Sequence, residues 1–212
     1  MLPSIAPYPL PTEAELPANR VTWRPDPARA VLLVHDMQNH FLNAFTADEA
    51  PLPGLIENIA AIRKHCVDLG VPVVYSAQPG GQTPQQRGLL LDFWGDGLAD
   101  DPRAAAITDA LTPGPDDIRL TKWRYSAFVR TDLATLLGDR DQLLITGVYG
   151  HIGVLATALD AFMRDIQPFV LADAVADFSA EHHRDTLRHV AQRCGYVTTT
   201  RTTADALLGV AA

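Results

Sequence analysis

The stretch AVLLVHD, residues 30–36, decides the fold: five apolar residues run without a break and stop at the polar pair His35-Asp36. A strand buried on both faces, as in a parallel sheet, reads this way, whereas a half-solvated strand alternates. Outward from it, Leu52, Leu55, Ile56, Ile59, Ile62, Cys66 and Leu69 recur at spacings of three and four and are closed by Gly70, the signature of an amphipathic helix. VPVVYSA (71–77) reads as a second strand, with Pro72 near its start where a missing donor is tolerated. Residues 78–100, rich in Gly, Gln and Asp, read as a long irregular segment. Residues 118–120 make a short third strand and QLLITGV (142–148) a fourth, followed by a helix over 153–165. PFVLADA (168–174) is a fifth strand. Ser179 is a candidate N-cap, with Glu181 near the positive end of a helix that stops at Gly195. YVTTT (196–200) is a sixth strand, and TADALLG a last short helix.

Strands alternating with helices predict an α/β fold: a doubly wound, six-stranded, mostly parallel sheet with helices on both faces and right-handed crossovers. Such sheets bind ligands outside the carboxyl ends of their strands, near the switch in strand order. The residues to watch are therefore His35-Asp36, Ala77-Gln78, Thr121-Lys122 and the segment 149–153. Residues 1–28 carry Pro3, Pro7, Pro9, Pro11, Pro17, Pro25 and Pro27, which predicts an extended arm lying over a surface rather than a core element. No repeat or linker follows, so residues 29–212 read as one domain.

With 47% hydrophobic and 20% charged residues, the 212-residue chain has the composition of a globular domain. A net charge of −8 argues against nucleic-acid binding, which needs a basic face, but not against a small anion held by a few local cations. Cys66 and Cys194 lie in helix-like stretches and read as buried thiols. No basic leader or membrane-length apolar run is present in the sequence, so a cytoplasmic location is expected.

Asp36, at the end of an apolar strand, is either a turn residue or a partly desolvated acid, which burial would bias toward proton donation. Lys122 is either a surface lysine or a cation beside that acid. GVYGHIG (147–153) joins strand to helix with three glycines spaced by three; it is not GxGxxG, and no P-loop or GxSxG elbow occurs. His182-His183 reads as a solvated helix start, and no metal-ligand spacing is evident.

VLLVHDMQNHF (31–41), YSAQP (75–79), RGLLLDFWGDGL (87–98), LTKWRYSAF (120–128), TGVYGHIGV (146–154) and DAFMRDIQPFVLADAVADFS (160–179) together resemble the isochorismatase family over nearly the whole chain. The wider superfamily includes amidases with a nucleophilic Cys where this chain has Gly153, so the resemblance implies vinyl-ether hydrolysis without a thiol. It implies Asp36 as the proton donor, with Lys122 neutralising a substrate carboxylate and positioning Asp36. Gln78, Arg87 and Trp94 would line the pocket, Arg87 pairing with a carboxylate; Tyr149 and the Gly153 N–H would contact the pyruvyl side, and Phe41 would form an apolar wall. No cofactor or metal is implied; the expected partners are a chorismate-derived dicarboxylate and a second copy in a homodimer, not nucleic acid or membrane. The substrate implied is 2-amino-2-deoxyisochorismate, in phenazine-type or related secondary metabolism. The alternatives are isochorismate, for siderophores, and a non-catalytic scaffold. The absence of a carrier domain after residue 212 tilts the expectation to the first. Asn39-His40 departs from the family pattern and leaves the ring preference open.

Overall fold

A computed structural model describes residues 2–210. Six strands form one sheet: β1 (Ala30–His35), β2 (Val73–Ala77), β3 (Ile118–Thr121), β4 (Gln142–Val148), β5 (Gln167–Ala176) and β6 (Tyr196–Thr198). The order is β3-β2-β1-β4-β5-β6 and every pairing is parallel. β1 is central and buried at all six residues, which is why its sequence is continuously apolar rather than alternating.

The helices are α1 (Asn39–Leu42), α2 (Leu52–Asp68), α3 (Pro84–Arg87), α4 (Leu90–Trp94), α5 (Pro102–Ala105), α6 (Leu133–Leu137), α7 (Leu155–Phe162), α8 (Ala180–Arg193) and α9 (Thr200–Leu207). The predicted apolar stripe of α2 buries Leu55, Ile59, Ile62 and Cys66. With Leu207 of α9 these side chains pack on Leu32, Val34, Leu144 and Leu171. The intervening residues of the same strands, Val31, Leu33, Leu143 and Val170, point the other way, against Val154, Ala158, Leu187 and Val190. Alternate faces of one sheet thus feed two cores, giving three layers.

Three expectations need correction. The 78–100 segment is not wholly irregular: Thr83 caps α3 reciprocally with Gln86, and α4 follows. The arm is not merely superficial, because Ile5, between two prolines, is only 1% exposed and bridges to Phe45. Tyr8 joins the same core, and Asn19 exchanges two hydrogen bonds with the backbone of Val197, covering the β6 edge. Finally, His183 is not solvated. It is buried, with Nε2 3.0 Å from the Ala172 carbonyl, and only His182 faces solvent.

Candidate active site

The strand order reverses between β1 and β4, so the loops that leave these two neighbours diverge and open a crevice. Asp36 follows β1 in a left-handed conformation (φ 50°), the sharp turn that brings its carboxylate back across the end of β2. Its Oδ1 accepts a 2.6 Å hydrogen bond from Ser76 Oγ, and its Oδ2 accepts from Lys122 Nζ at 2.9 Å and from Gln78 Nε2 at 3.2 Å. Each donor comes from the end of β2 or β3. Lys122 is placed by its own N–H, which donates to the Ala77 carbonyl. Asp36 and Lys122 are 3% and 1% exposed, so this is a dry ion pair rather than a surface one.

Burial alone would raise the Asp36 carboxyl, as the sequence led us to expect. The Lys122 ammonium, His35 and the hydrogen bonds from Lys122 and Ser76 more than offset it, and the carboxyl lies below its ordinary range. In the ligand-free protein Asp36 is a carboxylate, which corrects the expectation of a raised acid.

These groups face a cavity of about 340 Å³, the size of a small-molecule site. Phe41, Arg87, Trp94, Tyr149 and Gly153 line it together with Asp36, Gln78 and Lys122, so all eight sequence-selected residues meet in one place. Arg87 is buried, with Nε donating to the Gly95 carbonyl at 2.9 Å and Nη1 reaching Gln78 Oε1 at 3.4 Å. Its guanidinium lies against Gly97 (φ 76°), where an added Cβ would stand 2.5 Å from Cζ; only glycine permits this approach. Trp94 Nε1 donates to the Tyr125 hydroxyl at 2.7 Å, fixing the indole at the rim. The Tyr149 hydroxyl donates to the Phe41 carbonyl, so the ring rather than the hydroxyl is what Tyr149 offers the cavity. Phe41 meets that ring edge-on at 6.0 Å, and the two form the apolar wall.

His40 also lines the cavity. Burial and the nearby Arg87 charge push its imidazole below the usual histidine range, leaving a neutral ring. Ser76 and Leu2 escaped the sequence reading of the site, and His35 was flagged there only as a strand-end residue with no role. The signal for Ser76 was present as a small hydroxyl residue near the end of the apolar strand VVYSA, in register with His35. Leu2 reaches the cavity from the arm, and nothing local foretells it.

No cysteine lies among the residues lining this cavity. Cys66 and Cys194 are buried in the helix layers, and burial pushes their thiols up to about 12 and about 11. Nearby, His151, Asp177 and His182 present three donor atoms within 4.8 Å of one another. The Asp177 oxygens are already engaged by His151 N at 2.6 Å, His151 Nδ1 at 2.5 Å and Phe178 N at 2.8 Å. The cluster therefore braces the loop after β4. The arrangement as a whole offers a buried carboxylate paired with a lysine, and an arginine joined to it through Gln78, in a pocket without a cysteine among its lining residues.

Comparison with known proteins bears on the family and the fold. The family model described as the isochorismatase domain matches residues 30–202. The chain is 52% identical to the isochorismatase of Bacillus subtilis (strain 168) over 208 residues, 97% of this chain and 67% of that protein. It is also 52% identical to the phenazine biosynthesis protein PhzD1 of Pseudomonas aeruginosa, over 94% of this chain and 96% of that protein. Enterobactin synthase component B of Escherichia coli (strain K12) is 47% identical over 94% of this chain and 70% of its own length. Among solved structures, a cysteine hydrolase from Pseudomonas syringae pv. phaseolicola 1448A superposes with a TM-score of 0.80 at 24% identity, covering 92% of this chain and 99% of that one, a likeness of fold.

Proposed function

The chain belongs to the isochorismatase family, and we propose that it hydrolyses the vinyl ether of 2-amino-2-deoxyisochorismate, releasing pyruvate and trans-2,3-dihydro-3-hydroxyanthranilate. One observation carries the reading: a buried carboxylate, Asp36, is held by Lys122 in an apolar pocket whose nucleophile position is a glycine. A vinyl ether needs an acid, not a nucleophile. The Asp36 proton goes to the terminal CH₂ carbon, whose π electrons form the new C–H bond. The ether oxygen stabilises the resulting oxocarbenium ion, water adds to it with loss of a proton, and the hemiketal collapses to pyruvate and the ring alcohol.

Asp36 begins as a carboxylate and must take up a proton on binding. A substrate carboxylate drawn to Lys122 opposes the Asp36 charge and competes for its counter-ion, both of which favour protonation. Arg87 is placed to hold a second carboxylate bidentately. Arg87→Ala is accordingly expected to raise KM about 10–100-fold, the worth of a charge-assisted contact, with a smaller change in kcat. Initial-rate curves for the variant give both values, and an unchanged KM would remove Arg87 from substrate binding.

The identities to the Bacillus isochorismatase and to PhzD1 are equal, which keeps isochorismate as a second substrate. Pyruvate release coupled to a dehydrogenase, with kcat/KM measured side by side, decides: the amino substrate is expected to be preferred. A preference for isochorismate would install the siderophore reading, and a blank with both would favour a scaffold. We further propose a cytoplasmic homodimer. No helix among the described residues is long and apolar enough to cross a membrane. The exposed Phe162 and Met163 at the end of α7 support a self-association surface that light scattering would test.

A further inference from the structure

His35 lies beside Asp36, yet the proposed reaction gives it no task. It is 1% exposed, and its Nδ1 sits 2.7 Å from the Val148 carbonyl, so Nδ1 carries the hydrogen and donates there. The same Nδ1 is 3.8 Å from Asp36 Oδ2. Nε2 is buried and makes no well-formed hydrogen bond, the Tyr125 carbonyl bearing on the ring only weakly. Across from it stands Gly153: a Cβ built there would lie 2.3 Å from His35 Cε1, 2.8 Å from Nε2 and 3.3 Å from the Tyr125 carbonyl.

The φ of Gly153 lies outside the left-handed region, so its backbone permits an L side chain and only space forbids one. Nor can the imidazole easily yield. It is anchored to Val148, and its own backbone is gripped on both sides, in register with Ser76 of β2 and Gly147 of β4. Gly147 in turn must lack a side chain, because a Cβ there would meet the His35 carbonyl oxygen at 2.1 Å.

We propose that His35 is the residue that commits this pocket to acid catalysis: its ring fills the volume a nucleophilic side chain at position 153 would occupy, and it packs beside Asp36 as a positioning residue. Positions 35 and 153 then form one steric unit, and neither can be exchanged alone. The inference rests on the vinyl-ether reading for its activity measurement, and on geometry alone for its stability and labelling measurements.

His35→Asn separates the two features of the ring, since the amide can keep the bond to Val148 while the Cε1–Nε2 edge is removed. Gly153→Ala in the native background is expected to lower Tm by about 5 °C, the cost of overpacking a rigid site, and to reduce pyruvate release about 100-fold. In the His35→Asn background the same alanine should cost less than about 1 °C and almost no further activity, a non-additive cycle. His35→Asn alone should lose about tenfold in kcat, as supporting contacts to a reacting group do. For Gly153→Cys, iodoacetamide alkylation forms the S–C bond with loss of iodide and of the thiol proton. It should run at least ~10-fold faster with His35→Asn than without, against the silent background of the two buried native thiols. Additive effects on Tm, or equal labelling rates in both backgrounds, would overturn the proposal. A native enzyme that releases no pyruvate would instead sink the proposed function, with the Tm cycle and the labelling still deciding the role of His35.

Discussion

Asp36→Ala is expected to lower kcat by at least ~10²–10⁴-fold, the contribution of a well-placed general acid, while substrate still binds. Several other polar groups of the pocket are already engaged. Among the lining residues Lys122 is committed to Asp36, Arg87 to the Gly95 carbonyl, and the Tyr149 hydroxyl to the Phe41 carbonyl. Alanine also strands the Lys122 ammonium in a dry pocket, so Asp36→Asn is the cleaner variant: it keeps the volume and a hydrogen-bonding carbonyl while removing the titratable proton. Both variants should retain ligand binding by calorimetry with a non-hydrolysable ether analogue. Retained turnover in Asp36→Asn would remove Asp36 from the mechanism.

The same assignment fixes a pH dependence. Free Asp36 is held below the ordinary carboxylate range, so its acid form must be stabilised by the bound substrate. In the complex kcat should be level at acid pH and fall as pH rises through the pKa that Asp36 acquires there. A rising profile would mark Asp36 as a base.

Much of this was legible in the sequence because parallel sheets leave strong marks. The unbroken apolar run at 30–34 and the largely apolar one at 142–148 could be little else than buried central strands, and the polar residues that follow them had to lie at one sheet edge. The chain-order rule for such sheets then puts Asp36, Gln78, Lys122 and Tyr149 near one crevice from the sequence alone. What escaped depends on contacts between distant segments. That Ile5 and Leu2 reach the core and the cavity follows from tertiary docking of the arm, which proline content alone cannot distinguish from a superficial strap. The charge state of Asp36 escaped for the same reason: burial and a nearby Lys122 were readable, but that a 2.9 Å contact from a residue 86 positions away, with Ser76, outweighs burial was not. His35 looked like the polar end of a strand, and only the missing Cβ of Gly153 shows what its ring displaces.

Lys122→Met should be the most destabilising of the single changes considered, and its cost should depend on pH in a direction the ion pair dictates. The methionine stem can fill the volume, but Asp36 is left buried with Ser76 and Gln78 as its donors. Removing one partner of a buried pair costs about 3–5 kcal/mol, roughly 10 °C in Tm for a chain of this size. In the native protein the Asp36 carboxyl lies below its unfolded-state range. The pair therefore contributes stability above the unfolded pKa and loses it as pH falls through the folded one. Without the ammonium, burial, the largest single influence on this carboxyl, is left dominant and drives it upward. The variant then folds best with Asp36 protonated, and weakens as pH rises through the raised value. The Tm gap between native protein and variant should accordingly be widest near about pH 7, narrow as pH falls toward about 4, and close further only below it. Activity should not follow stability back: at acid pH the variant regains a protonated Asp36 but still lacks the cation that holds the substrate carboxylate, so KM stays high where Tm has recovered. A pH-independent gap would mean that Lys122 supports the fold by packing rather than by charge.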